Sequence, residues 1–247
     1  MKAGMSAYWR STKRPIVFRY SGGAGMKLMR VVFAVLFTVA FTYTLALPAS
    51  AASSKLTNQE QTFLKGLESQ SNDMGNATSD MADLFKKMGN DPTLIYDQSW
   101  IIKVAGVFVK FQNIDDDAHA LKPSQRQQHL YITWTEVTGT IVAATKDYTR
   151  GIDNVDVDSI YAGTAKITHA TALSNLLTKD ITAFKKNPDS IASKAKAVTG
   201  PVADCSVFDD YNVAQVYLVL NPSETATIDP NGDGRACEIF FDRDTAA

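Results

Sequence analysis

Between residues 56 and 184 the apolar side chains recur at alternating spacings of three and four, the period of helices that bury one face. Four segments carry the pattern. In the first, Leu64, Leu67, Met74, Met81, Phe85 and Met88 share a stripe, Thr57 with Glu60 forms a capping box at its start, and Gly89-Asn90 marks its end. Ser71, Gly75 and Thr78 weaken that stripe, which predicts a bend or break in mid-helix. The second begins at Asp91-Pro92, a cap residue with proline at the first helical position, and runs through Ile101, Val104, Phe108 and Phe111 to a stop at Asp115, Asp116 and Asp117. The third opens at Pro123-Ser124, with Gln127 completing a second capping box. It carries Leu130, Trp134, Val137, Ile141, Ala144 and Tyr148, and Gly151 stops it. The fourth starts near Asp156 and carries Ile160, Ile167, Ala170, Leu177, Ile181 and Phe184. No proline falls inside a stripe, and the connecting turns are short, so the pattern predicts an all-α, up-down four-helix bundle over residues 52–187.

The periodicity lapses after Phe184. Residues 188–203, rich in small residues and lysines and closed by Gly200-Pro201, read as a linker or loosely helical connector. A small unit of different composition follows over 204–241, with Phe208, Val213, Val216, Leu218 and Leu220 as its candidate core. That core is thin for an independent fold.

At the other end of the chain, residues 31–47 are an uncharged, largely apolar run of 17 residues. Lys27 and Arg30 precede it, and Ala49-Ser50-Ala51 follows. A basic flank, an apolar run and an Ala-x-Ala end are the parts of a secretory signal peptide, so 1–51 is assigned to a leader with an extended basic region, cleaved after Ala51. The alternative is a retained anchor, for which the run is slightly short. Met26 begins a more typical leader than Met1 does. Export implies a secreted or surface-associated protein with no stable membrane span after cleavage.

Removing the leader changes the charge picture. It holds seven of the 25 Lys and Arg and none of the 26 acids, so a formal net charge of −1 becomes −8 for the remainder. From Asp204 onward there are nine acids against two arginines. An acidic balance concentrated in the tail argues against nucleic acid as a partner and for a cation. Both cysteines, Cys205 and Cys237, bracket this tail; a disulfide, a metal pair and two unrelated thiols are the alternatives, and export favours the disulfide.

Within the tail, IDPNGDGRACE at 228–238 alternates Asp229, Asn231 and Asp233, then places Gly234 and ends on Glu238. Short oxygen-bearing side chains at every second position, with a glycine to permit the bend, are the pattern of an oxygen-only cation loop. In the register of an EF-hand, Asp229, Asn231, Asp233 and Gly234 take positions one, three, five and six, and Arg235 ligates through its backbone carbonyl at seven. A full EF-hand needs its bidentate acid at position twelve, which here is Phe240; Glu238 stands two residues earlier and closes a shortened loop. The plain alternative is a polar turn, since Asn-Gly is a turn former.

Asp204-Cys205, Phe208, Ala214-Gln215 and the terminal Asp229-x-Asn231-x-Asp233-Gly234-x-x-Cys237-Glu238 resemble the excalibur calcium-binding module, a short extracellular domain of bacterial surface and secreted proteins. The resemblance covers residues 204–240 and none of the helical region. Asn231 stands where that family usually has Asp, which removes one negative charge from the ligand set. The resemblance implies Ca²⁺ bound by Asp229, Asn231, Asp233, Arg235 and Glu238, and it allows a neighbouring hydrolytic, nuclease-like domain.

The helical region offers no chemistry of its own at the level of sequence. Glu60, Glu68 and Glu136 are its only glutamates, and none has a histidine three residues on, as bundles that hold two metal ions require. His119, His129 and His169 are scattered and read as surface or boundary residues; Asp115, Asp116 and Asp117 read as a solvated helix end. The expectation is therefore a non-enzymatic, exported calcium-binding protein whose bundle contacts a protein or cell-wall partner. An exported hydrolase carrying an accessory calcium module, or a membrane-tethered helical protein, is the alternative.

Overall fold

The computed structural model describes residues 56–199 and 202–241; the expected leader at 1–51, the expected cleavage after Ala51 and the choice of start lie outside these. The described residues are helical, with no strand among them. Four long helices come first and contribute to a helical bundle: α1 (Asn58–Asn90), α2 (Gln98–Ala120), α3 (Gln128–Asn154) and α4 (Val157–Lys186). Three short ones follow: α5 (Ser190–Ala197), α6 (Tyr211–Leu220) and α7 (Thr225–Ile228). No helix among the described residues is long and apolar enough to cross a membrane.

The capping box of Thr57 and Glu60 opens α1, which then runs uninterrupted to Asn90. The break expected near Ser71 and Thr78 does not occur. Both side chains are buried, and the Thr78 hydroxyl is satisfied by the Met74 carbonyl of its own helix at 2.8 Å. Asp91-Pro92 opens not α2 but a 3₁₀ turn, Pro92–Tyr96. The helix begins six residues later, where the Asp97 carboxylate accepts the Trp100 N–H. The three acids do not stop α2, because Asp115 accepts the Thr138 hydroxyl of α3 at 2.6 Å and the helix continues past it to Ala120. Gly151 does not stop α3 either. It lies in a buried crossing where an added Cβ would meet Ile160 at 2.5 Å, and the helix ends at Val155, in the left-handed region. Gly163 repeats the device from α4, with the Ala144 carbonyl and the Tyr148 ring at 3.1 and 3.2 Å from where its Cβ would be. Small residues thus set the close approach of α3 and α4.

All six stripe residues of α1, and those of α3 and α4, join one core, together with Trp100, Val104, Val107, Phe111 and Ile114 of α2. Phe85 packs on both Trp100 and Tyr148. At one end of the bundle, the buried Glu60 carboxylate takes the Arg126 guanidinium through two bonds and the Ser124 hydroxyl through a third. Burial pushes the Glu60 carboxyl up, but Arg126, the Thr57 N–H and Ser124 outweigh it and hold the group below the usual carboxylate range. Nearby, burial pushes the His129 imidazole down to about 4, partly countered by a hydrogen bond to the Arg126 backbone. His129 is a core residue, not a boundary one.

A second core gathers Ala195, Val202, Phe208, Val213, Ala214, Val216, Tyr217, Leu218 and Ile228, with Ile191, Ala192 and Val198 packed against it. The segment read as a linker or loosely helical connector therefore contributes α5, whose apolar face belongs to the C-terminal unit. This unit rests on the bundle through α6 against α3. Arg126 also reaches Asp189, just ahead of α5.

Candidate cation loop and the groove beside it

Where α7 ends, Asp229 turns the chain. Its carboxylate, 3% exposed, accepts the N–H groups of Asp233 and Gly234 at 3.2 and 3.0 Å, so its first role is to close the loop on itself. Gly232 and Gly234 hold φ of +71° and +85°, conformations in which any other residue would be strained. Behind the loop stands Gln215 of α6, fully buried. Its amide donates to the Gly234 carbonyl and accepts the Ala236 N–H, both at 2.9 Å. The Cys237 N–H bonds to the Ile228 carbonyl at 2.6 Å, and Cys237 is joined to Cys205 by the expected disulfide. A sequence of turn formers is thereby held in one shape from three sides.

Facing outward from this frame, Asn231 donates to Glu238 at 2.7 Å, and the Glu238 carboxylate is only 6% exposed. Arg235 was expected to contribute its backbone carbonyl, but its side chain lies among the acids. Nε and Nη2 donate to Asp233 at 2.9 and 2.7 Å, and Nη2 pairs with Glu238 at 2.8 Å. Burial works against the guanidinium charge, and the bonds to Asp233, with Glu136 and Glu238 nearby, overcome it and raise its pKa further. Asp233 and Glu238 are therefore brought together around one positive charge, Asn231 bonds Glu238 beside them, and Asp229 serves the backbone.

The donor set suits a hard divalent cation in kind, being all oxygen. Its arrangement is closed on the guanidinium, and no group of three His, Cys, Asp or Glu arranged to hold a metal ion occurs among the described residues. The fit is therefore one of chemistry and of loop shape, with the Arg235 side chain standing where a cation's charge would be needed.

Sequence reasoning missed what lies across from the loop. A groove of about 990 Å³ separates it from α3 and α4, lined among others by Tyr131, Thr135, Glu136, Lys166, His169 and Arg235. The Glu136 side chain, 6% exposed, accepts from Arg235 Nη1 at 3.3 Å and has His169 Nε2 at 4.0 Å. Glu136 sits between the core positions Trp134 and Val137, and a carboxylate flanking a buried stripe is the one local sign that it has a partner. Nothing local identifies Arg235, 99 positions later, as that partner. Lys166 is paired with Asp147 at 2.9 Å, so the groove presents both signs of charge.

No protein-family model, curated protein or solved structure matches this chain. The likeness to the excalibur module rests on the residues of the tail alone.

Proposed function

We propose that this is an exported, non-enzymatic calcium-binding protein in which an up-down four-helix bundle carries a small EF-hand-like module. In this reading Asp229, Asn231, Asp233, the Arg235 carbonyl and Glu238 hold one Ca²⁺. The ion supports the module's fold and supplies no reaction, and the bundle meets a protein or cell-wall partner outside the cell. The observation that carries the reading is the convergence of Asp233 and Glu238 on a single positive charge within a loop braced by Gln215, Ile228 and the disulfide. Such a loop keeps its acids together at a Coulombic cost that a cation relieves.

With three formal negative charges among the ligands, the dissociation constant belongs in the range of extracellular modules, roughly 10⁻⁴ to 10⁻³ M. At a tenfold excess over that constant calcium adds only about 1.4 kcal/mol to the folded state, which makes it a support for the module and not a switch. Calorimetric titration of the oxidised protein with calcium tests the proposal. Heat that saturates in the millimolar range, and is lost in Asp229→Ala and Glu238→Ala, is the expected result. Absence of calcium heat in the wild type would sink it.

A further inference from the structure

Arg235 joins three carboxylates from two parts of the molecule: Asp233 and Glu238 in the loop and Glu136 on α3. We infer that its side chain is a built-in counter-ion which a cation entering the loop must displace, and that Glu136 retains the displaced guanidinium, coupling occupancy of the loop to the bundle. The inference rests on the calcium reading above and concerns how that site is governed.

The argument is one of competition for the same oxygens. Asp233 and Glu238 supply two of the three formal charges of the proposed ligand set. Asp233 Oδ2 accepts the Arg235 Nε and Nη2 N–H groups at 2.9 and 2.7 Å, and Glu238 Oε2 is ion-paired with Nη2 at 2.8 Å. A carboxylate oxygen that accepts a charge-assisted bond at that distance cannot also ligate calcium along the same direction, and a guanidinium does not escape by deprotonating. Calcium therefore exchanges one cation for another. Asp229 stands apart, because both its oxygens bond backbone N–H groups and hold the loop's shape.

What becomes of the guanidinium is decided on the bundle side. Arg235 is about one-fifth exposed, and the Glu136 side chain almost fully buried. Moving the arginine into solvent would strip a nearby positive charge from a buried carboxylate, which is costly. Turning toward Glu136 and the groove keeps that pair and vacates Asp233 and Glu238. With calcium absent, Arg235 bridges loop and bundle; with calcium present, it belongs to the bundle face of the groove.

The test is a calcium titration by calorimetry on four full-length, oxidised proteins: wild type, Arg235→Gln, Glu136→Gln and the double variant. Glutamine leaves the backbone carbonyl at 235 in place. Arg235→Gln is expected to bind calcium at least about threefold more tightly. Glu136→Gln should weaken binding about threefold when Arg235 is present and have little effect when it is not, a coupling within the range found for directly interacting residues. In ¹⁵N spectra the Arg235 Nε–H signal should shift and exchange faster with water as calcium is added to the wild type. Arg235→Lys, which keeps the charge but not the planar fork, should fall between wild type and Arg235→Gln and serves if the glutamine variant unfolds. If the wild type binds calcium and Arg235→Gln binds it equally well, the counter-ion role is wrong while the calcium reading stands. If Glu136→Gln weakens binding equally in both backgrounds, Glu136 acts only as a distant charge and the coupling is overturned. If the wild type does not bind calcium, the calcium reading falls and the inference falls with it.

Discussion

Buried polar groups are satisfied differently in the two parts of the molecule. In the bundle, Thr78, Thr145 and Thr164 are buried, and each returns its hydroxyl to a carbonyl three or four residues back in its own helix. In the C-terminal unit, Gln215, Asp229 and Glu238 are buried; Gln215 reaches from α6 to the loop backbone, and Glu238 bonds Asn231 across the loop. A region with a large apolar core can leave its polar side chains to local bonds. A unit with eleven residues in its buried cluster uses Gln215 to hold one segment against another, while Asp229 closes the loop locally. The bundle also has buried groups with distant partners: Glu60 and Gln127 tie the start of α1 to the turn before α3, Thr138 bonds Asp115 of α2, and Asp147 takes Lys166 of α4.

Four measurements can break or sharpen that contrast. The largest effect belongs to the bundle core: Trp134→Ala removes a side chain only 1% exposed and should cost about 3–5 kcal/mol, read as a drop in the urea midpoint of far-UV circular dichroism. If the bundle behaves as one apolar unit, the module's amides should keep their protection until the main transition begins. Next comes the disulfide, which spans 32 positions of sequence; replacing both cysteines by alanine should cost about 3–4 kcal/mol in the chain-entropy account. Hydrogen exchange should place the loss at 205–238 and leave α1 to α4 protected. A loss spread evenly over the whole chain would mean that the two regions are one cooperative unit.

Acid should act through the bundle. His129 is held neutral by burial, with its folded value near 4 against 6.5 in the unfolded chain, so the unfolded state takes up a proton first as pH falls. Stability is complete above about 6.5 and declines progressively toward 4. Glu60, whose folded value is lowered, contributes stability that is lost only at more acidic pH. Between pH 6.5 and 4.5 the wild type should therefore lose on the order of 2–3 kcal/mol, and His129→Gln should lose far less over the same window. Smallest of the four is Gln215→Leu, which strands the Gly234 carbonyl and the Ala236 N–H; about 1–3 kcal/mol should be lost, with Ala236 and Cys237 exchanging faster. An unchanged exchange rate at Ala236 would show that Gln215 is not the brace of the loop.

Much of this architecture was legible beforehand because its signals are local. The Thr57 and Ser124 capping boxes, the Asp156 cap and the stripes of α3 and α4 are all set by neighbours within four residues, and the structure shows each where periodicity put it. Where the reading slipped, a distant partner had overruled a local signal. Asp115 looked like a helix stop until Thr138 gave its carboxylate a bond. Gly151 looked like a terminator, but Ile160 needs the space. The connector, read as a linker or loosely helical, is helical at 190–197, and what its own residues did not announce is that Ile191 and Ala195 have a second core to join.

The loop divides along the same line. Its oxygen donors, its glycines and its two cysteines could be named from sequence, because spacing along a tight turn is a property of the chain itself. That Asp229 would bond the backbone, that Arg235 would place its guanidinium between Asp233 and Glu238, and that Glu136 would meet it from α3 were decided only by tertiary packing. Charges separated by 99 positions find one another only after the bundle has set the face on which the module rests. The chain by itself determined which oxygen-bearing side chains share one tight loop; the fold determined that its own Arg235 guanidinium stands among them.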